Sequence, residues 1–528
     1  MQRRSLIHAA GGAALAGAVR APALAQGSAT RTLRVVPQAN LTSLDPIWTT
    51  AVVTRNHGFL VYDQLCAQDA QGAIKPQMAE GWTTENDGLD TTFTLRLGLR
   101  FHDGEPVRAA DCVASMRRWA ARDTFGQALW QRVDAVEALG DRRFRVRLKQ
   151  RFPLLLPALG QTQFPLFIMP ERLAATDPFQ QVREAVGSGP FRFVRDEWNP
   201  GQRAVWARNE RYEARPEPVD GLAGGRVPKI DRIEWTVISD PATAANAMAT
   251  GEQDYWEYPL HDLLPLLRRS REVVVQQRLT EGTYAISRFN HLHPPFNDVR
   301  VRRAVAMAVD QRDYMRAVAG NEKDGWEACE GVFTCGTALA NEAGSEVLKV
   351  RNIERAKAAL KESGYAGQRV VLMAPSDYPQ INAVSMVTAD LLGRLGMNLE
   401  LVSTDWGTLV QRRASREPVE RGGWSMIHTT SSGQALTLPV FHLYLRANGS
   451  NAWFGWPQDD EIERLRAAWL DAADAAEQRR LAEALNRRAM ERMLYIPLGF
   501  YWQPSAWRRN LTGVFRAPAT VFWNMGKA

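Results

Sequence analysis

His102 and Asp103 stand side by side in RFHDGEPVRAADC, with Glu105, Asp111 and Cys112 close behind. Those side chains could ligate a metal or run acid–base chemistry. Three other groupings are of the same kind. His291 and His293 flank Leu292 ahead of Pro294-Pro295, Cys329 and Cys335 bracket CEGVFTC, and GGWSMIHTTSSG sets His428 after Trp424. None completes a catalytic signature. The chain has no G-x-S-x-G, H-E-x-x-H or G-x-x-x-x-G-K-[ST] motif, and no glycine fingerprint that follows a strand and opens a helix. A strand follows the glycine-rich GSGPF (187–191), so it reads as a tight turn and not as a phosphate cradle. The histidine pair at 291 and 293 lacks a third ligand in register. The expectation is no metal, no cofactor and no covalent chemistry.

What such residues do depends on the elements that hold them. From Thr91 to Phe101 the apolar residues Phe93, Leu95, Leu97, Leu99 and Phe101 alternate, the pattern of a strand with one buried face. HDGEP turns the chain, and Cys112, Met116 and Trp119 then recur at helical spacing. His102 and Asp103 therefore fall in the turn of a strand–turn–helix. Two later segments read as β-α-β units. DRIEWTVI (231–238) leads to a helix carrying Ala244, Met248 and Ala249, closed by Gly251, and QDYWE returns as a strand. RVVLMA leads to a helix carrying Ile381, Val384, Leu391 and Leu395, closed by Gly396, and NLELV follows. Such units imply parallel strands covered by helices. A chain of 528 residues exceeds what one core supports, so one unit in each of two lobes is expected.

Composition narrows the class. With 45% hydrophobic and 23% charged residues the chain is ordinary for a soluble protein. It opens MQRRSLIHAAGGAALAGAVRAPALAQG: a charged start, a short apolar run, and ALA ahead of Gln26. That pattern predicts an exported product cleaved after Ala25. Arg3-Arg4 before Ser5-Leu6-Ile7 resembles a twin-arginine export signal, and an ordinary secretory signal fits the same residues. Gln26 and not Cys follows the cleavage site, so no lipid anchor is expected. The formal charge of +7 falls to +4 without Arg3, Arg4 and Arg20, too little to argue for nucleic acid. Export gives the four cysteines meaning. Cys329 and Cys335 sit at a spacing that allows a disulfide or two loop thiols, while Cys66 and Cys112 read as small buried hydrophobes.

Tryptophan is abundant, at 17, and Trp406, Trp424, Trp453, Trp456 and Trp502 lie among glycine, serine and proline. They read as lobe packing or as walls that enclose a small ligand. Longer blocks go further. MAEGWTTENDGLDTTFTLRLGLRFHDGEPVRAADCVASMRRW, GSGPFRFVRDEWNPGQRAVWARNERY, PKIDRIEWTVISDPATAANAMATGEQD, PPFNDVRVRRAVAMAVD, ERAKAALKESGY and YIPLG follow one another in order. Together they resemble the extracytoplasmic solute-binding proteins of ABC importers, in the class that includes oligopeptide-, dipeptide- and nickel-binding proteins. The resemblance implies an α/β, two-lobed periplasmic-binding-protein fold with mixed sheets and an extra subdomain in the first lobe. The expected organisation is an export signal over 1–25, lobe I over 26–285 with its subdomain at about 51–184, lobe II over 286–496, and a return to lobe I over 497–528. It also implies a monomeric periplasmic protein, not an enzyme. Such a protein encloses a small peptide-like solute by hinge closure and delivers it to an ABC transporter membrane permease.

Two departures from the class bear on the ligand. Peptide binders of this class place an Asp shortly after the Trp, to pair with the peptide's free amino group; here Ile427-His428 stand there. Dipeptide binders carry an Arg near a Tyr after the VVLMA segment, to hold a carboxylate; here Asp377 precedes Tyr378. The expected ligand-binding residues are Trp424, His428, Tyr378, Asp377, Trp406 and Trp502, with Trp453 and Trp456 as rim or packing residues. Asp377 either meets a donor-rich ligand group or caps the helix that starts near Gln380. A modified peptide suits the missing amine anchor. The competing readings are a nickel or metallophore binder, with imidazoles from His57, His102, His291, His293 and His428, and a secreted hydrolase.

Overall fold

Apolar residues placed opposite one another hold the first sheet together: Leu33 faces Ile233 and Val35 faces Trp235 across parallel strands, all of them buried. The computed structural model describes residues 31–279, 282–320, 325–472 and 474–528; the expected export signal over 1–25 lies outside the described residues. Seven strands form this sheet, in the order Phe191–Phe193, Arg203–Arg208, Arg232–Thr236, Thr32–Val36, Tyr255–Trp256, Ser505–Arg508 and Val273–Gln276. The β-α-β unit is its centre. Arg232–Thr236 and Tyr255–Trp256 both run parallel to Thr32–Val36, and the helix Pro241–Thr250 joins them. Asp240 caps that helix by accepting the Thr243 N–H, and Gly251 ends it at φ +82°.

A second sheet has six strands: Trp326–Glu327, Tyr495–Tyr501, Thr283–Phe289, Met426–Ser432, Val370–Pro375 and Leu399–Thr404. The helix Pro379–Arg394 packs on it. Mixed sheets with helices between them make this a two-lobed α/β fold. The expected return to the first lobe at 497 needs correction. Tyr495–Tyr501 pairs with Thr283–Phe289 along its length in the six-stranded sheet, while Ser505–Arg508 belongs to the seven-stranded one, so the crossing comes between Tyr501 and Ser505. The predicted break in the late helical stretch is at Asp474, which caps Ala475–Arg492.

The stretch around His102 belongs to a four-stranded antiparallel subdomain sheet, covered by the helix Ala109–Arg122. The strand predicted over 91–101 stops at Leu95. Gly98 turns the chain at φ +80°, which leaves Leu97 70% exposed and restores burial only at Phe101. His102 is spent on scaffold. Its Nε2 lies 3.0 Å from the Gly189 carbonyl, its backbone N–H donates to the Gly187 carbonyl, and burial lowers its pKa to about 4. GSGPF is thus a close-packing turn: a Cβ on Gly187 would come 2.1 Å from the Val61 carbonyl oxygen. Asp103 pairs with Arg172, and Asp111 accepts the Arg108 N–H at the start of the helix and the Glu171 N–H.

The helix Ala109–Arg122 also anchors the loop that follows the first strand. Arg118 and Asp45 form an ion pair at 2.7 Å with both side chains fully buried. Asp45 accepts the backbone N–H groups of Ile47, Trp48 and Val182, and Arg118 donates to the Asp177 and Gln180 carbonyls. One turn on, Arg122 holds the Trp48 carbonyl at 2.8 Å. Removing one member of such a pair leaves a buried charge uncompensated. Arg118→Met is expected to lower the free energy of urea unfolding by about 3–5 kcal/mol. A loss below about 1 kcal/mol would show that the pair contributes no more than a surface contact.

Candidate functional site

Polar side chains of the two lobes meet in a seam. Thr162 donates to Gln434 at 2.5 Å, and Gln434 donates to Gln68 at 3.0 Å. Gln380 reaches the Gln503 side chain and the Tyr258 carbonyl. Beneath them in the first lobe, Arg55 donates to Gln163, and Glu257 accepts from the Gln38 N–H and from Asn56. Burial raises the pKa of Glu257. Thr162, Gln380, Gln503, Arg55, Asn56 and Glu257 are buried and Gln68, Gln163 and Gln434 half-buried, and each makes hydrogen bonds.

At one end of the seam the helix Trp406–Arg412 delivers Arg413 against the first lobe. Its guanidinium is buried and lies 3.5 Å from the Thr49 and Thr50 hydroxyls, on the loop that Asp45 and Arg118 anchor. The rings of Phe454, Trp453 and Trp406 surround it at 4.8, 5.4 and 5.9 Å. Burial lowers the Arg413 pKa to about 10. Beside this contact a cavity of about 280 Å³ lies between the lobes. Trp48, Thr49, Thr50 and Arg122 line it from the first lobe, and Arg416, Trp453, Phe454 and Trp456 from the second. Asp123 is the one acid among its described lining residues, and it already accepts the Gly126 N–H and Gln161. The balance of formal charge around the cavity is positive.

Of the six expected residues, Trp406 and Trp424 contact Arg413, and Tyr378 and Asp377 contact Trp406. Trp406 packs on the Arg413 guanidinium, and Tyr378 meets the Trp406 ring edge-on at 5.2 Å. Trp424 donates its indole N–H to the Arg413 carbonyl and stacks near Trp456. Asp377 accepts the Trp406 N–H at 2.6 Å. The cap expectation is corrected by that contact: Asp377 holds the start of the helix after the next strand and does not cap its own helix, Pro379–Arg394. The other two lie elsewhere. His428 points under the helix Pro379–Arg394, with Nδ1 3.1 Å from Ser385 Oγ and Nε2 2.8 Å from Thr388 Oγ1. Trp502 sits where the chain leaves the second lobe; its ring packs on Phe500 and its carbonyl receives His261 Nε2. Sequence reasoning missed Arg413, Thr49 and Thr50. In VQRRASREP three arginines look alike, and burial of one by a loop some 360 residues away leaves no local trace.

The Cys329 and Cys335 sulfurs are bonded, and Cys66 and Cys112 are buried free thiols. Among the described residues no three His, Cys, Asp or Glu side chains cluster as a metal-ligand set, and no helix is long and apolar enough to cross a membrane.

Residues 73–451 match the bacterial extracellular solute-binding proteins, family 5 (middle region), and the chain belongs to that family of binding proteins. It is 38% identical, over the whole of both chains, to the "Probable peptide ABC transporter periplasmic-binding protein y4tO" of Sinorhizobium fredii (strain NBRC 101917 / NGR234). It is 25% identical to the glutathione-binding protein GsiB of Escherichia coli (strain K12), over 92% of each chain. Among solved structures it is similar to the binding protein AgaA of A. tumefaciens R10 in complex with agropinic acid. That match has a TM-score of 0.76 at 21% identity and covers 94% of this chain and 99% of that one.

The placement of His428 has a measurable consequence. Burial lowers its pKa to about 3, while an unfolded histidine takes up a proton near 6.5. Between those values the unfolded state binds more protons, so stability rises with pH across the window and this contribution is complete above about 6.5. His428→Gln is expected to make urea stability fall less steeply between pH 6 and 4, by up to roughly 1.4 kcal/mol per pH unit. Solute affinity at pH 7 is expected to stay within about twofold of the parent. A tenfold loss of affinity, or about 1.4 kcal/mol, with an unchanged acid slope would return His428 to the ligand site.

Proposed function

We propose that this family 5 solute-binding protein is the binding component of an ABC import system. It encloses a small peptide-like or modified-peptide solute between its lobes and presents the closed form to a membrane permease. The observation that carries this reading is the buried polar seam beside a cavity walled by both lobes. Enclosure there removes bulk water, so each hydrogen bond or charge contact to a solute counts for more. Only a hinge movement is required, and among the described strands the chain passes between the two large sheets twice, before Thr283 and after Tyr501. The names of the relatives in Sinorhizobium and Escherichia support a peptide-like solute.

In this reading Tyr378 and Trp406 face the solute, Trp424 and Asp377 hold Arg413 and Trp406 in place, and Trp502 closes the wall at the crossing. His428 contributes to the lobe behind them. The mature protein is a soluble periplasmic monomer that begins at Gln26, exported through the twin-arginine route that Arg3-Arg4 suggests.

Liquid chromatography–mass spectrometry of solute released by denaturing the purified protein is expected to yield an organic, peptide-like compound in near-stoichiometric amount. Trp453→Ala is expected to weaken its rebinding by calorimetry roughly tenfold, about 1.4 kcal/mol. Stoichiometric metal by elemental analysis, with no organic solute, would favour the nickel or metallophore reading. Mass analysis of periplasmic protein is expected to place the N-terminus at Gln26. Retention of Arg3-Arg4 in that fraction would overturn the export assignment.

A further inference from the structure

We propose that the helix Thr124–Arg132 of the subdomain is a clasp that grips the second lobe and holds the lobes closed, with Arg132 and Asp471 as its lock. This rests on the hinge movement of the solute-binding reading above. The subdomain is tied to the first lobe: Arg118 in its helix Ala109–Arg122 pairs with Asp45, and His102 bonds to the Gly187 and Gly189 carbonyls. The next helix, Thr124–Arg132, starts at the Asp123 cap and reaches the second lobe at three points. At the cap, burial raises the Asp123 pKa to about 6, and its hydrogen bonds and the nearby Arg446 cation of the second lobe oppose that rise. Next, the buried Phe125 packs on Phe441 with ring centroids 5.5 Å apart. At the last residue, Arg132 donates to Asp471 at 2.5 Å.

The Arg132–Asp471 pair has the form of a contact that movement makes and breaks. The Asp471 side chain is 63% exposed, so it regains its water when the lobes part. The Arg132 side chain is 8% exposed and lies over the Phe152 ring at 5.4 Å. That ring keeps the guanidinium aimed at the rim and lowers the entropy cost of re-forming the pair. Asp471 is also the residue that ends the helix Asp460–Leu470, where the helix dipole disfavours a carboxylate. A cation from across the cleft offsets that penalty, and Arg132 is its one ion-pair partner among the described residues. Neither Arg132 nor Asp471 lines the interlobe cavity, yet Asp123, Thr124 and Gln127 at the start of the same helix do. The clasp therefore sets how firmly the cavity is closed without touching a solute.

The test measures the distance between the lobes of the full mature protein by double electron–electron resonance. Nitroxide labels are placed on Leu97→Cys in the subdomain and Leu401→Cys in the second lobe, both exposed positions; the free thiols Cys66 and Cys112 are buried and take no label. Asp471→Asn is expected to lower the ratio of short to long distances roughly threefold, and about 0.5 M salt to do the same to the parent. Asp471→Arg, which sets a like charge against Arg132, is expected to lower it roughly tenfold. Adding Arg132→Asp to Asp471→Arg restores the attraction with its sign reversed and is expected to return the ratio to within about twofold of the parent. Distances unchanged in Asp471→Asn and Asp471→Arg overturn the proposal even if Tm falls, because the contact is then structural only. A double variant as open as Asp471→Arg overturns it too. The readout needs no solute, so if no organic compound is released on denaturation the solute reading falls by itself and this test still stands.

Discussion

The facing surfaces of the two lobes meet a constraint that the lobe interiors escape: they must be compatible with water when apart and with burial when together. An apolar surface would hold the lobes shut, and unpaired charge would hold them open. Away from Arg413 the seam is accordingly built from amides and hydroxyls, which exchange water for one another at little net cost. Gln68, Gln434 and Thr162 form one such exchange, and Gln380 with Gln503 another. The cores behind obey the opposite rule. Leu33, Val35, Ile233 and Trp235 in the first lobe, and the seven residues Tyr495–Tyr501 in the second, are buried without regard to the seam.

Polar contacts of this kind work only if both sides are held in register. In the first lobe the Asp45–Arg118 pair does this, since Asp45 gathers the N–H groups of Ile47 and Trp48 immediately ahead of Thr49 and Thr50. In the second lobe the Cys329–Cys335 bridge closes a loop whose Thr334 donates its hydroxyl to the Gly433 carbonyl, the residue before Gln434. Trp424 performs the matching service for Arg413, since its indole fixes the carbonyl of the residue whose side chain crosses the seam. Thr49, Thr50, Gln434 and Arg413 are thus presented by interactions at or beside their own backbone.

That division explains what could be read in the sequence. Periodicity and punctuation report on local burial, and they located both β-α-β units, the helix break at Asp474 and the turn that holds His102. They misjudged the strand end at Leu95, because alternation continues through Leu97 and Leu99 although Gly98 has already turned the chain. The seam is a product of two lobes and has no local period. His428 illustrates the difficulty: it lies on a seven-residue strand in which alternate side chains face opposite ways, and packing of the helix Pro379–Arg394 decides which way. Arg413 is the converse case, one of several similar arginines singled out by a loop far away in sequence.

The missing aspartate after Trp424 then takes on a physical meaning. Ile427, which stands in that region, is fully buried within the second-lobe strand and brings no charge to the seam. Asp377 is close enough to matter, but its carboxylate is engaged by the Trp406 N–H, and burial raises its pKa, which weakens its claim on a cation. Neither residue is among those that line the cavity, whose described wall carries Arg122 and Arg416 and one acid, Asp123, tied to Gly126 and Gln161. A site that uses an aspartate to hold an amine orients its solute by the cationic end. Here that anchor is absent from the cavity wall, where Trp48, Trp453, Phe454 and Trp456 supply aromatic surface and Thr49 and Thr50 supply hydroxyls.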